Sequence, residues 1–141
     1  MLSGLEIRVV DPDDDYLGLD ISAATDRFFG SARIFAGLDQ LSEFADKLEG
    51  FPSTIADNRI YEFGTRLPGC AGGFVKLKFS CKDAAGHPMV EIEIDDDAQY
   101  HAKASATFSF SFEPASLDRF LGALPLIEQT KSGHATLLAA A

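Results

Sequence analysis

The feature that most constrains how these 141 residues can fold is a one-by-one alternation of apolar and polar residues. In residues 74–82, FVKLKFSCK, apolar side chains occupy one set of alternate positions, and lysines or serine occupy the other. Successive side chains of a strand point to opposite faces, so this spacing is typical of a sheet with one buried face. The pattern predicts seven strands: 5–10, 16–23, 28–36, 58–63, 74–82, 89–95 and 102–112.

The short links between these segments predict antiparallel pairing. The best-specified link is residues 83–88, where Gly86 can take the positive φ of a hairpin turn. This hairpin would place basic residues on the polar face of one strand and acidic residues on that of its neighbour, which helps to set the register. The residues concerned are Lys76, Lys78 and Lys82 on the first strand, and Glu91 and Glu93 on the second.

Two segments, 38–49 and 114–124, carry apolar residues at the spacing of an amphipathic helix. Gly50 and Pro52 predict the end of the first helix. Pro114 suits the first turn of the second, and Pro125 predicts its end. The two apolar stripes are Leu38, Leu41, Phe44, Ala45 and Leu48, and Leu117, Phe120, Leu121 and Leu124.

We therefore predict an α+β fold, with residues 1–141 forming a single domain. Its antiparallel sheet of about seven strands would be backed by the two amphipathic helices. Both helices share the spacing L-x-x-F-x-x-x-L, at 41–48 and 117–124, which raises the alternative of a pseudo-repeat of a meander plus a helix. Any amphipathic helix that packs on a sheet can carry the same spacing, so a common origin is not required.

The net charge is −10 and unevenly distributed: residues 1–64 carry thirteen acids and five bases, and residues 65–141 carry nine and seven. Nucleic acids and anionic membranes reward lysine and arginine, so we predict neither as a partner. An acidic field of this kind speeds encounter with a basic protein. The alternative interpretation is that the acidity only keeps the protein soluble.

Two runs of aspartates are the candidate partner-binding residues: Asp11, Asp13, Asp14 and Asp15, and then Asp95, Asp96 and Asp97. The first run begins like a calcium loop, but Tyr16 stands where glycine is needed and Ser22 where a bidentate glutamate is needed. Three adjacent acids point in different directions, so the second run does not predict an ion site either. If both runs lie at the same edge of the fold, they form one negative patch.

No segment predicts a catalytic, cofactor or metal site. Cys81, Asp83 and His87 flank one hairpin, but Cys81 has the parity of the buried residues, and no oxyanion hole is evident. Residues 69–73 are glycine-rich, yet they enter a strand and lack the Lys-Ser/Thr of a phosphate loop. His101 and His134 have no ligand partners at a useful spacing.

We predict that the protein is located in the cytoplasm. Glu6 and Arg8 lie where a signal peptide would need an unbroken apolar segment. No apolar stretch approaches the length of a membrane span, about 18 residues. Cys70 and Cys81 form neither a C-x-x-C motif nor a disulfide framework, so we expect two idle thiols in a reducing compartment.

Several segments resemble a known family. The stretches ARIFAGLDQLSEFADKLEGFP, KLKFSCKDAAGHPMVEIEI and SLDRFLGAL resemble, in chain order, the WapI-type immunity proteins of bacterial polymorphic and contact-dependent toxin systems. The resemblance covers most of residues 16–124 and consists mainly of core hydrophobic positions with Gly86 and His87. It implies a non-enzymatic protein that binds and blocks a toxin made by the same cell, and it carries over no catalytic residue.

The sequence thus favours a binding protein whose partner is a protein, such as a basic toxin domain. Two alternatives stay open. One is a small-ligand-binding or enzymatic domain that uses a sheet-face pocket or the 64–73 loop. The other is a self-associating protein, a homo-oligomer with no small-molecule role.

Overall fold

The computed structural model of the protein describes residues 3–65, 72–96 and 103–140. Within them it contains eight strands and two helices, which confirms the α+β class. The strands are β1 (Gly4–Pro12), β2 (Leu17–Ala24), β3 (Phe29–Ala36), β4 (Arg59–Gly64), β5 (Phe74–Cys81), β6 (Pro88–Asp95), β7 (Ser105–Ser111) and β8 (His134–Leu138). The helices are α1 (Gln40–Leu48), between β3 and β4, and α2 (Pro114–Thr130), between β7 and β8.

The strands form two antiparallel four-stranded sheets, where the sequence pattern predicted one sheet. Sheet A has the order β3-β2-β1-β8, and sheet B has the order β4-β5-β6-β7. Alternation identifies a buried face on each strand but carries no information about which strands share a sheet, so the division could not be predicted. The chain does run twice through a meander followed by a helix, and β8 then returns to sheet A beside β1.

The predicted hairpin between β5 and β6 is confirmed. Lys76 pairs with Glu93 and Lys78 with Glu91 across the two strands. Gly86 takes a φ of 80° in the connecting turn. Opposite charges therefore face each other on the outer face of sheet B, while the intervening residues of both strands point into the core.

The two sheets meet because β3 crosses one end of sheet B. The inner face of β3 contacts β4, β5 and β6, and Gly30 near its beginning reaches β7. The contacts that define the crossing are Ile34 with Gly64, Ala32 with Gly73, and Gly30 with Phe108. This succession across neighbouring strands means that β3 runs across the strands of sheet B rather than beside them.

Gly73 is the tightest point of the crossing. Its amide donates to the Arg33 carbonyl at 2.7 Å. A Cβ at this position would lie 2.5 Å from the Asp95 carbonyl oxygen and 2.9 Å from the Ala32 Cβ, which are distances that real side chains do not tolerate. The close approach of the two sheets therefore depends on a glycine at residue 73.

Both helices contribute their apolar stripes to the same core as the two sheets. Phe44 and Phe120 are 0% and 1% exposed, and the leucines of both L-x-x-F-x-x-x-L motifs are also buried, which confirms the predicted burial of these motifs. Ala45 and Leu121 are only partly buried. Phe44 is the centre of an aromatic cluster whose other rings are Tyr61, Phe63, Phe79 and Phe120. Leu38 does not belong to the buried stripe: it precedes α1 and is 40% exposed.

α2 continues beyond the end that Pro125 predicted, as far as Thr130. Ile127 in the added turn is buried in the core. Glu128 accepts hydrogen bonds from the backbone amides of Leu41 and Ser42 at 2.9 and 3.2 Å, and from the Ser42 hydroxyl. A carboxylate at the amino end of a helix is stabilising, so these tertiary contacts offset the amide that Pro125 lacks.

β8 was not predicted, because its first residue, His134, belongs to a segment, 129–134, that has the composition of a loop. The strand pairs with β1 in a register that places Leu5 opposite Leu137 and Ile7 opposite Ala135. A strand this short has too little sequence pattern to be predicted, and its formation depends on pairing with β1.

The guanidinium of Arg59 binds backbone carbonyls at the carboxyl end of α1. Arg59 donates to both carboxylate oxygens of Asp57 at 3.1 and 2.8 Å, and to the carbonyls of Lys47 and Glu49 at 3.2 and 2.7 Å. Asp57 also accepts from the amide and hydroxyl of Ser53. The hydrogen bonds from Arg59 and then from Ser53 hold the pKa of Asp57 at about 2, below its usual value.

We expect Phe44→Ala to lower the free energy of unfolding by about 3–5 kcal/mol, because it removes a fully buried ring and leaves a cavity. Phe28→Ala is the matched control, because Phe28 is 71% exposed and its loss should cost less than about 0.5 kcal/mol. Urea unfolding measures both values. A Phe44→Ala protein within about 1 kcal/mol of wild type would contradict the packing described here.

We expect Asp57→Asn to destabilise the protein in a pH-dependent way. The folded-state pKa of Asp57, about 2, lies below the unfolded value of 3.8, so its charge stabilises the fold above pH 3.8. That contribution is lost as the pH falls through about 2. The difference in Tm between wild type and variant should therefore be largest near neutral pH and shrink on acidification. A difference that grows on acidification would contradict this assignment.

Candidate partner-binding surface

The outer face of sheet A is exposed, and its register arranges the side chains in four rows across the strands. The two middle rows are polar, and the end rows carry the exposed rings of Phe35 and Phe29. The rows are Phe35–Gly18–Asp11, Arg33–Asp20–Arg8–His134, Ser31–Ser22–Glu6–Thr136 and Phe29–Ala24–Gly4–Leu138. This face therefore combines charge with exposed aromatic surface.

Asp11 lies in β1, which continues past its predicted end at residue 10, with an irregularity between Val9 and Asp11. The Arg33 guanidinium binds the Asp11 carboxylate at 2.7 Å and the Asp20 carboxylate at 3.1 Å. The hydrogen bond to Asp20 raises the pKa of Arg33 above its ordinary value. Asp11 is thus already paired within the chain, and its main effect is to fix Arg33 across three strands.

The remaining aspartates of the first run form the hairpin between β1 and β2. The Asp13 carboxylate accepts the Asp15 amide at 3.0 Å, and the Asp13 amide donates to the Tyr16 carbonyl at 3.1 Å. Lys131 donates to the Asp13 carbonyl oxygen at 3.3 Å. Asp13, Asp14 and Asp15 are all exposed. A locally ordered turn therefore presents three carboxylates to solvent at one end of sheet A.

Beside this hairpin lies an exposed aromatic pair. The rings of Tyr16 and Phe35 meet edge to face, with centroids 5.5 Å apart, and the two residues are 37% and 44% exposed. Phe35 lies opposite Gly18 of β2, and a Cβ there would lie 3.0 Å from the Asp11 Cβ. Because Gly18 has no side chain, no side-chain atom of β2 separates Phe35 from Asp11 in this row.

The second acidic run belongs to sheet B. Asp95 is the last residue of β6, and the Asp96 amide donates to the Ala104 carbonyl. Asp97 lies outside the described residues. Asp95 shares the outward parity of Glu91 and Glu93, so its side chain is on the outer face of sheet B. Asp11 and Asp95 therefore lie on the outer faces of different sheets, although the backbone at Asp95 adjoins β3 through Gly73.

The residues considered for catalysis do not form a thiol–imidazole pair. The His87 Nδ1 contacts an Asp83 carboxylate oxygen at 2.7 Å, and this hydrogen bond lowers the pKa of Asp83. Cys81 was predicted to be buried but is only half-buried at the end of β5, with its Sγ 3.9 Å from the Thr54 carbonyl oxygen. Cys70 and His101 lie outside the described residues, and His134 is exposed opposite Arg8.

Among the described residues, no group of three or more His, Cys, Asp or Glu side chains is arranged to hold a metal ion. In the same part of the chain, neither helix is long and apolar enough to cross a membrane. Of the glycine-rich segment 64–73, residues 66–71 lie outside the described ranges.

The aromatic pair and the role of Arg33 were not predicted from the sequence. Alternation within residues 29–35 did contain a signal, because Phe29, Arg33 and Phe35 have the parity opposite to that of the buried Ala32 and Ile34. Two exposed phenylalanines on the outer face of one strand contribute apolar surface there, and contiguous apolar surface marks a candidate contact. The meeting of Tyr16 with Phe35 could not be predicted from the sequence, since it depends on the pairing of β2 with β3.

The chain was compared with protein families, curated proteins and solved structures. No family model, no curated protein and no solved structure matches the chain.

Proposed function

We propose that the protein is a non-enzymatic binding protein whose contact surface is the Tyr16–Phe35 pair together with the Asp13–Asp15 hairpin. The observation that carries the proposal is the position of this exposed aromatic pair directly beside three exposed carboxylates. Protein interfaces commonly place aromatic anchors at the centre and charged residues at the rim. The partner would present a pocket or groove for the two rings, surrounded by lysine and arginine.

The charge distribution supports a basic protein as the partner. On sheet B, Lys76 and Lys78 face Glu93 and Glu91 across the strands, so much of that charge is balanced locally. At the hairpin, Lys131 binds the Asp13 carbonyl oxygen at 3.3 Å, so one lysine lies beside three exposed carboxylates. These aspartates lie in the half of the chain that carries a net charge of −8, from thirteen acids and five bases. A field of this sign accelerates encounter with a cationic surface.

The resemblance to WapI-type immunity proteins suggests what such a partner would be. On this hypothesis the protein binds a basic toxin domain, blocks it, and acts in the cytoplasm of the cell that makes the toxin. The proposal assigns no catalytic residue, since the imidazole of His87 contacts Asp83 rather than the Cys81 thiol.

A small-ligand site on the sheet face is the less favoured alternative. Residues on the inner faces of both sheets, such as Leu19, Ile34, Leu77 and Ile92, are fully buried in one common core. A ligand pocket on the inner sheet face would have to displace that core. The outer faces remain open, and a broad open face suits a protein better than a small molecule.

The test compares association and dissociation rates of variants with a candidate toxin, taken from an adjacent gene or recovered by pull-down. Asp13→Asn, Asp14→Asn and Asp15→Asn together remove three charges, while the asparagine side chain introduced at position 13 keeps an oxygen that can accept the Asp15 amide. We expect association to slow by about threefold to tenfold at about 50 mM salt and to change little at about 500 mM. Phe35→Ala should instead accelerate dissociation by about tenfold or more.

The matched control removes three exposed acids from other elements: Asp46→Asn on α1, Glu62→Gln on β4 and Asp118→Asn on α2. It changes the net charge by the same amount but leaves the proposed surface intact. Equal slowing by both triple variants would mean that only the total charge matters. A tight complex whose rates ignore the hairpin variant, Phe35→Ala and salt would refute the proposed surface.

A further inference from the structure

β7 is an outer strand of sheet B, and its hydrogen bonds show which of its backbone groups face away from β6. The Phe112 amide donates to the Pro88 carbonyl, and the Ala104 carbonyl accepts the Asp96 amide, so the even-numbered residues bond to β6. The Ser111 carbonyl instead accepts the amide of Ala140, beyond the end of β8. Odd-numbered residues of β7 therefore direct their amides and carbonyls outward.

Three residues, Ser105, Thr107 and Ser109, consequently present six backbone groups along a free edge. Among the described residues, none of these groups has a hydrogen-bond partner. Natural edge strands are commonly protected by a lysine, a proline, a bulge or a covering segment. β7, with the sequence SATFSFS, contains no charge and no proline, and its pairing with β6 is regular over its whole length.

We propose that this edge pairs with β7 of a second copy of the chain, antiparallel and about a two-fold axis through Thr107. In this register Ser105 of one copy lies opposite Ser109 of the other, and Thr107 lies opposite its own equivalent. All six outward groups of each copy then find a partner. The pairing between copies ends before Ser111, because the Ser111 carbonyl already accepts the Ala140 amide. The pairing therefore covers the whole free edge, residues 105–109.

Charge complementarity favours a second copy over an unrelated strand. Lys103 precedes the edge and Glu113 follows it, and neither forms an ion pair among the described residues. In the antiparallel register, Lys103 of one copy lies opposite Ser111 of the other and diagonal to Glu113, within reach of a long side chain. The two-fold axis makes this ion pair twice. The neutral segment between them also lets two chains of net charge −10 approach without facing like charges.

The paired sheets would be continuous on both sides. Ser105, Thr107 and Ser109 have outward parity, so small polar side chains meet at the centre of the joined outer face. Phe108 remains in the core of its own copy. Since β7 belongs to sheet B and the Tyr16–Phe35 pair to sheet A, the dimer is independent of the proposed function.

The test is sedimentation equilibrium of the intact chain from about 1 to 500 µM, a range that covers weak self-association. We expect a monomer–dimer equilibrium for wild type. Thr107→Lys places two like charges opposite each other at the axis and should weaken the dimer by about fivefold or more. Ser31→Lys, an exposed site on β3 with the same change of charge, should leave the equilibrium unchanged.

A charge exchange tests the register itself. Lys103→Glu should weaken the dimer, and the double variant Lys103→Glu, Glu113→Lys should restore it, because the two ion pairs are then rebuilt with opposite polarity. Hydrogen exchange adds a readout on the unaltered chain: the amides of Ser105, Thr107 and Ser109 should gain protection as the concentration rises. A chain that stays monomeric at about 500 µM, a dimer indifferent to Thr107→Lys, or a double variant no better than Lys103→Glu would overturn the proposal.

Discussion

The structure depends on the contact between Ala32 and Gly73, where β3 crosses the end of sheet B. The crossing requires the two backbones to approach more closely than any side chain allows, and the amide of Gly73 is bonded to the Arg33 carbonyl at this point. It ties the first meander to the second, and the helices complete the core that the two sheets share. Phe44 packs in that core with its ring cluster, and Glu128 joins the two helices by binding the amino end of α1.

The same crossing decides which surfaces remain available for binding. The inner faces of both sheets are buried in one core, so the outer faces and the strand edges are the surfaces that can bind a partner. The two outer faces differ in how their charges are arranged. Sheet B balances acids against lysines across its strands. In sheet A, Arg33 binds Asp11 and Asp20, and the hairpin at 13–15 has three carboxylates with one lysine, Lys131, beside them. The proposed partner surface and the proposed β7 edge therefore occupy separate parts of the molecule.

Arg33 connects the interior of the fold with this surface. Its carbonyl takes part in the crossing, while its guanidinium spans β2 to reach β1. The neighbouring outward residue, Phe35, is held against Gly18 by the same strand pairing, and it meets Tyr16 from the hairpin. The aromatic pair is thus presented on a regular, hydrogen-bonded scaffold, which suits a surface that must be formed before a partner arrives.

Alternation in the sequence by itself determined where β1 to β7 lie, apart from their ends, because burial of alternate residues is a local property of a strand. Helical spacing of apolar residues determined the two helices in the same local way. The β5–β6 register also followed, since Gly86 and the opposed charges specify it. Tertiary structure decided the division into two sheets, the continuation of α2 past Pro125 and the addition of β8, because each depends on contacts between residues far apart in the chain. The candidate site divides in the same way. Its aspartates could be identified from the sequence, but the ion pairs of Arg33 and the meeting of Tyr16 with Phe35 exist only once β1, β2 and β3 are paired.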